Sequence, residues 1–127
     1  MYFKLKEHCF FFESIFDLKS NYFNVDDYKI YSQDERQELM NNGVFQKESF
    51  LLIPQIDRDE IVAEYLILKN NRRLLRQKND KDFFMKFHFY TEGNRLVEEW
   101  NDFEEAKLIQ FGSEWCEENQ IKFTAGQ

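Results

Sequence analysis

Glycine occurs four times and proline once in the 127 residues, and that scarcity excludes the sites that need them. No glycine-rich turn is available to cradle a phosphate or to present a nucleophile, so a P-loop is ruled out. Cysteine is as scarce. Cys9 and Cys116 lie far apart and neither stands in a CxxC or Cys/His spacing, so both read as reduced thiols in a reducing compartment. Long apolar runs are missing as well. The stretch Met1–Glu7 carries basic residues, but Cys9-Phe10-Phe11-Phe12 stops at Glu13, too short for a signal segment or a membrane span. The expected location is the cytoplasm. With no repeat, low-complexity tract or linker, residues 1–127 read as one domain.

What the chain has in abundance is aromatic residues, at 18%, with 15 phenylalanines. Each aromatic removes roughly 150–250 Å² from water when buried, so the core is expected to be built mainly from phenylalanine. The hydrophobic share of 43% is enough for one core in a domain of this size. The net charge of -7 argues against a polyanion as the general partner, because unselective phosphate binding rests on Lys and Arg releasing counterions.

The patterning predicts an α+β domain with short N-terminal strands and a mainly helical C-terminal half. Phe3 and Leu5 alternate with Lys4 and Lys6, Phe10-Phe11-Phe12 and Ile15-Phe16 are apolar runs, and Tyr28–Tyr31 is β-prone. Asn21 to Asp27 is turn-rich. Ser32 and Glu35 make a capping box for a short helix through Leu39 and Met40, which Asn41-Asn42-Gly43 stops. Phe50–Ile53 reads as a buried strand or extended segment closed by Pro54. Asp57 with Glu60 forms a second box before Ile61–Leu68, a run apolar on nearly every side and so expected to be central. Phe83–Tyr90 fits helix and strand spacing alike. Helix is preferred, because Asn79 and Asp80 can cap it, Leu74-Leu75 lies on a helical run upstream, and Gly93 can end it.

A last helix is expected to start at a box of Asp102 with Glu105. Its Leu108, Ile109, Phe111, Gly112, Trp115 and Cys116 share one half-circle. Gly112 sits in the middle of that apolar half, so another element, with Ile61–Leu68 the candidate, is expected to approach closely there. Asn119 is the expected C-terminal cap, and Ile121-Lys122-Phe123 a final extended piece.

The apolar segment ending in proline (Phe50 to Pro54), the buried helix, the aromatic-basic segment Phe83 to Phe87, and then Trp100-x-x-Phe103 and Trp115-Cys116-Glu117-Glu118-Asn119 resemble the bacterial uncharacterised protein family numbered 0158 in the UPF series. The resemblance covers the second two-thirds of the chain. It implies a small cytoplasmic bacterial protein of unassigned function, and it carries over no catalytic residue.

Chemical candidates are few. His8, His88, Cys9 and Cys116 are the only soft-metal ligands, and adjacent His8 and Cys9 on a strand would point to opposite faces, so no metal site and no cofactor are implied. Glu98, Asp102 and Glu105 at i, i+4 and i+7 could face one way for Mg²⁺ or acid-base work, but negative charge at a helix start, with Asp102 and Glu105 already used as caps, explains them more simply. Cys116 and His88 meet as nucleophile and base only if the tertiary fold happens to join them.

Charge is distributed unevenly. From Lys69 to Lys86 there are seven Lys or Arg (Lys69, Arg72, Arg73, Arg76, Lys78, Lys81, Lys86) against two Asp, a balance of +5. From Glu92 to Glu118 nine acids stand against Arg95 and Lys107, a balance of -7. The expected function is that of a non-enzymatic protein-interaction or regulatory module, working through an acidic face and exposed aromatics. The alternative is a nucleic-acid-binding module using Arg72, Arg73, Arg76 and Lys78 with stacking rings nearby, or, further off, an enzyme whose carboxylates converge in the fold.

Overall fold

Both tryptophans stand on one helix of 22 residues, Val97–Glu118, which runs past both halves of the molecule. The computed structural model describes residues 1–14 and 20–126, so Ile15 and Phe16 lie outside the described residues. In chain order these residues form β1 (Phe3–Lys4), α1 (Leu5–His8), a 3₁₀ turn (Cys9–Phe12), β2 (Glu13–Ser14), β3 (Asn21–Asn24), β4 (Ile30–Ser32) and α2 (Gln33–Asn41). A second 3₁₀ turn (Lys47–Ser49), β5 (Phe50–Leu52) and β6 (Ile56–Asp57) follow. Then come α3 (Arg58–Leu68), α4 (Arg72–Leu75), α5 (Phe83–Gly93), α6 (Val97–Glu118) and β7 (Phe123–Thr124). The expected α+β domain is what the chain forms.

β3 is the centre of an antiparallel sheet in the order β4-β3-β5, with Tyr22 opposite both Tyr31 and Leu52. Two short parallel pairs tie distant segments together: β1 with β7, where Phe3 faces Phe123, and β2 with β6, where Glu13 faces Ile56. The apolar core is one contiguous cluster running through all these layers. Phenylalanine is its commonest residue but not its majority, since Leu, Ile and the two tryptophans fill the rest.

The core has two aromatic centres on α6. At its C-terminal end Trp115 meets Phe12 at 5.4 Å and Phe23 at 6.0 Å between ring centroids, both edge-on. At its N-terminal end Trp100 meets Phe87 at 4.7 Å and Tyr65 at 5.5 Å. Edge-on pairs contribute about 0.5–1.5 kcal/mol each beyond the area they bury. The first centre joins the strand half to α6, and the second joins α3, α5 and α6.

Several local expectations hold. The box of Ser32 and Glu35 is closed by both of its hydrogen bonds. Gly43 ends α2 at φ 71°, with Val44 N–H returning to the Leu39 carbonyl. Phe83–Gly93 is helical, burying Phe83, Phe87 and Thr91, and Asn119 caps α6 before β7. Asn70, Arg95 and Gln120 end α3, α5 and α6 in the same left-handed way at φ 55°, 57° and 58°. In each, a following N–H bonds back five residues: Asn71 to Leu66, Leu96 to Thr91, and Ile121 to Cys116. A chain short of glycine thus stops three helices with larger residues.

Other expectations are corrected. Residues 5–12 are helical, because Leu5, Cys9 and Phe12 recur at i, i+4 and i+7 and all three are fully buried; burial on one helical face outweighs a two-residue alternation. Asn21–Asn24 is the central strand, since Phe23 is buried and only Asn24 starts the turn, its side-chain oxygen accepting from the N–H groups of Asp26 and Asp27. Asp57 caps α3 through Asp59 N–H, but Glu60 does not close a box and pairs with Lys78 instead. Asp82, and neither Asn79 nor Asp80, precedes α5. Asp102 is no cap: α6 begins at Val97, directly after the left-handed turn at Arg95, with Glu98 and Glu99 in its first turn. The element that approaches Gly112 is the N-terminal segment rather than α3. A Cβ there would lie 2.8 Å from Leu5 Cδ2 and 3.0 Å from Phe12 Cε2. Finally, α3 is buried only in part, with Ile67 and Leu68 exposed at its end.

Candidate functional site

The basic stretch is built by the end of α3. After the left-handed Asn70, the Asn71 side chain accepts from Leu74 N–H at 3.1 Å and starts α4. Leu74 turns inward, and Arg72, Arg73 and Arg76 are left on the outside. Three lysines of the stretch are engaged: Lys69 pairs with Glu99, Lys78 with Glu60, and Lys86 with Asp82 at 3.2 Å and Asp80 at 3.5 Å. Arg72, Arg73, Arg76 and Lys81 are exposed and have no ion pair among the described residues. Of the four residues expected to contact phosphate, three are therefore open and Lys78 is held by Glu60.

Beside the arginines, α5 turns an apolar pair outward. Met85 and Phe89, four residues apart, are 55% and 64% exposed, because Phe83, Phe87 and Thr91 take the inner face. Phe89 and Tyr90 share a concavity of about 590 Å³ with Arg73, Lys86 and Gln77. Exposed rings beside guanidinium groups form a surface that can receive planar or apolar groups together with negative charge.

A second site was not legible in the sequence. Glu13, at the end of the N-terminal apolar run, is 5% exposed and hydrogen-bonds to the carboxyl of Glu104 on α6. Burial pushes Glu13 up to about 8, its hydrogen bond with Glu104 and the charge on Glu104 add to the rise, and Arg58 opposes it. Glu104 is raised by the same burial, while its hydrogen bond with Glu13 and the Arg58 charge pull it down. Glu13 is therefore the member that keeps the proton. The Arg58 guanidinium lies over the Phe84 ring, 3.4 Å from its centre. The pair opens on a pocket of about 350 Å³, with Phe10, Trp100, His88 and Asn101 around it. A signal for it did exist: Glu104 continues the stripe of Leu108 and Gly112 at four-residue steps along the face that meets the N-terminal segment.

The other candidates do not come together. Glu98 and Asp102 are exposed, and it is Glu104, between Asp102 and Glu105, that finds a carboxyl partner. Cys9 and Cys116 are free, buried thiols, and burial raises them to about 11 and about 12, which suppresses the thiolate that a nucleophile requires. His88 lies outside, paired with Glu92 at 2.9 Å, away from any thiol chemistry at the buried Cys116. His8 stacks on Phe3 at 5.4 Å, consecutive with Cys9 on helical turns rather than across a strand. Among the described residues no three His, Cys, Asp or Glu side chains are grouped to hold a metal ion, and no helix is long and apolar enough to cross a membrane.

No family model, no curated protein and no solved structure matches this chain.

Proposed function

We propose that the protein is a non-enzymatic interaction module of the cytoplasm that docks an acidic protein segment on its α4–α5 face. The observation that carries this reading is the set of exposed arginines without an ion pair among the described residues, Arg72, Arg73 and Arg76, on a segment packed against α5, where Arg73 shares a concavity with the outward Phe89. Lys69, Lys78 and Lys86 are engaged by the chain's own acids, so the arginines, with Lys81, are the charges left for a partner. Guanidinium groups suit carboxylates through paired hydrogen bonds, and a Met-Phe pair at i and i+4 offers an apolar side chain a place to rest. We include in the reading that the chain belongs with the uncharacterised bacterial family 0158, on the strength of Trp100-x-x-Phe103 and Trp115 to Asn119.

Nucleic acid is the second reading, favoured by Arg73 standing next to Phe89 and Tyr90 in one concavity. The net charge of -7 counts against it, because the remaining surface repels a phosphate backbone. The test is fluorescence anisotropy with a labelled acidic peptide carrying one Leu and one Phe, in parallel with a labelled single-stranded oligonucleotide. Peptide binding that Phe89→Ala and the combined Arg72→Gln, Arg73→Gln, Arg76→Gln variant both abolish is expected, with no oligonucleotide binding near physiological salt. If the oligonucleotide binds instead, its affinity must fall by about 0.7 log units per log unit of salt for each phosphate neutralised, and nucleic acid then replaces the protein partner.

A further inference from the structure

We propose that the pocket between the N-terminal segment, α3, α5 and α6 binds a small organic cation, a protonated primary amine on an aromatic or short apolar body, at the Glu13–Glu104 carboxyl pair. The site is separate from the arginine face and does not depend on the reading given to it.

The argument starts from proton chemistry. Two carboxyl groups hydrogen-bond to each other only if one proton lies between them, and Glu13 and Glu104 do so in a place where Glu13 is all but buried. Arg58 adds positive charge to the pair from α3, and the proton neutralises one of the two carboxyl groups. An ammonium group carries a full charge and three donors, so it can replace that proton and bridge both carboxylates. An anion would instead meet two carboxyl groups, and a neutral ligand would have no charge with which to displace the proton.

The walls suit the rest of such a molecule. At about 350 Å³ the cavity lies within the range of small-ligand pockets, about 300–1,000 Å³. Trp100 and Phe84 close it with apolar surface, and the Phe84 face is already covered by Arg58. Phe10 is different. It lines the same cavity yet is 46% exposed, and its ring stacks on no other ring among the described residues. A bound aromatic or apolar body would remove that ring from water, and an ammonium near it would gain a cation–π contact.

No covalent bond changes. Binding takes up the ammonium and releases the shared proton to solvent, so affinity rises with pH until the pair or the amine loses its proton without help. Among the described residues the charged groups around Glu13 are Arg58 from α3, Glu104 from α6, His88 from α5 on the pocket wall, and Asp57 from β6 beside β2. The Asp57 carboxylate is occupied in capping Asp59 N–H, and His88 is paired with Glu92, which leaves the Glu13–Glu104 proton as the one to be displaced.

Calorimetric titration of the full chain with 2-phenylethylamine at pH 7, repeated in two buffers of different ionisation heat, tests the proposal. Saturable binding with release of about one proton is expected from this linkage, with no heat from 2-phenylethanol, which has the same body and no charge. The combined Glu13→Gln, Glu104→Gln variant keeps a hydrogen bond between the two side chains and should lose both the binding and the proton release. The combined Arg72→Gln, Arg73→Gln, Arg76→Gln variant should lose neither. Absence of binding at millimolar amine, equal binding of the alcohol, or amine binding without proton release would each overturn the proposal, and the alcohol comparison needs no variant to fold.

Discussion

The α4–α5 face and the Glu13–Glu104 pocket treat charge in opposite ways. On the face, Arg72, Arg73 and Arg76 stand in water on a helix of a single turn and its C-cap, while Lys69, Lys78 and Lys86 are neutralised by Glu99, Glu60 and Asp82. In the pocket, two carboxyl groups from segments far apart in the chain are drawn out of water and share a proton. The face rests on local turns and could change residue by residue at little cost to the fold. The pocket exists only because β2 and α6 are held together, so its chemistry and the stability of the domain are coupled. A net charge of -7 describes neither place.

That contrast can be tested most severely at Trp115, whose contacts with Phe12 and Phe23 anchor the N-terminal segment. Trp115→Ala is expected to cost about 3–5 kcal/mol, read as a lower midpoint in urea. A midpoint equal to wild type would mean that the pocket-bearing segment is held some other way.

Glu13→Gln sharpens the comparison. Its folded value, about 8, lies above the ordinary value of 4.5, so the folded state holds the proton more tightly than the unfolded one. The associated stability is full below pH 4.5, is lost as pH rises towards 8, and stays lost above. Gln keeps a donor for Glu104 and has no proton to lose. The variant should therefore match wild type near pH 4 and exceed it at pH 8 by about 1–3 kcal/mol, the usual cost of a buried polar group left ill-matched. Parallel stability curves over that range would remove the shared proton from the account.

For the face, replacing Arg72, Arg73 and Arg76 together by Gln should change the unfolding free energy by less than about 1 kcal/mol while abolishing the capture of an acidic peptide. A large loss of stability would show that these arginines are structural. The smallest effect is expected from a chelator. Metal removal should leave the melting temperature where it was, because a resident ion would stabilise the folded state and its loss would be seen.

Much of the fold was legible where the signal is local. The Ser32–Glu35 box, the Gly43 stop, the strand at Phe50–Leu52 (though Leu52 is exposed where the sequence predicts burial) and the helix over Phe83–Gly93 each rest on a few adjacent residues. Legibility failed where a local pattern competed with a tertiary one. Leu5, Cys9 and Phe12 mark a helical face only once Gly112 is seen to lie against it, and Asp102 has the form of a cap although the chain had already turned at Arg95. Among the carboxylates, Glu98, Asp102 and Glu105 drew attention by their spacing, whereas Glu104 acquired its role from Glu13, ninety-one positions earlier in the chain. The open arginines were visible as a charge run. Which of the basic residues remain open depends on Glu60 and Glu99, which lie outside that run.

The pairing of β1 with β7 sets an order for assembly. Phe3 lies beside Phe123 and Glu13 beside Glu104, so the loops these contacts close span most of the chain, and the entropy of closing a loop grows with its length. The contacts among α3, α4, α5 and α6 join elements that follow closely in sequence and are cheaper to form first. The N-terminal segment is therefore the last part expected to dock and the first to open, and the Glu13–Glu104 pocket comes into being only at that final step. A molecule seated there would act as a latch, raising the protection of the Phe3–Glu13 amides against hydrogen exchange while leaving the helical half as it was.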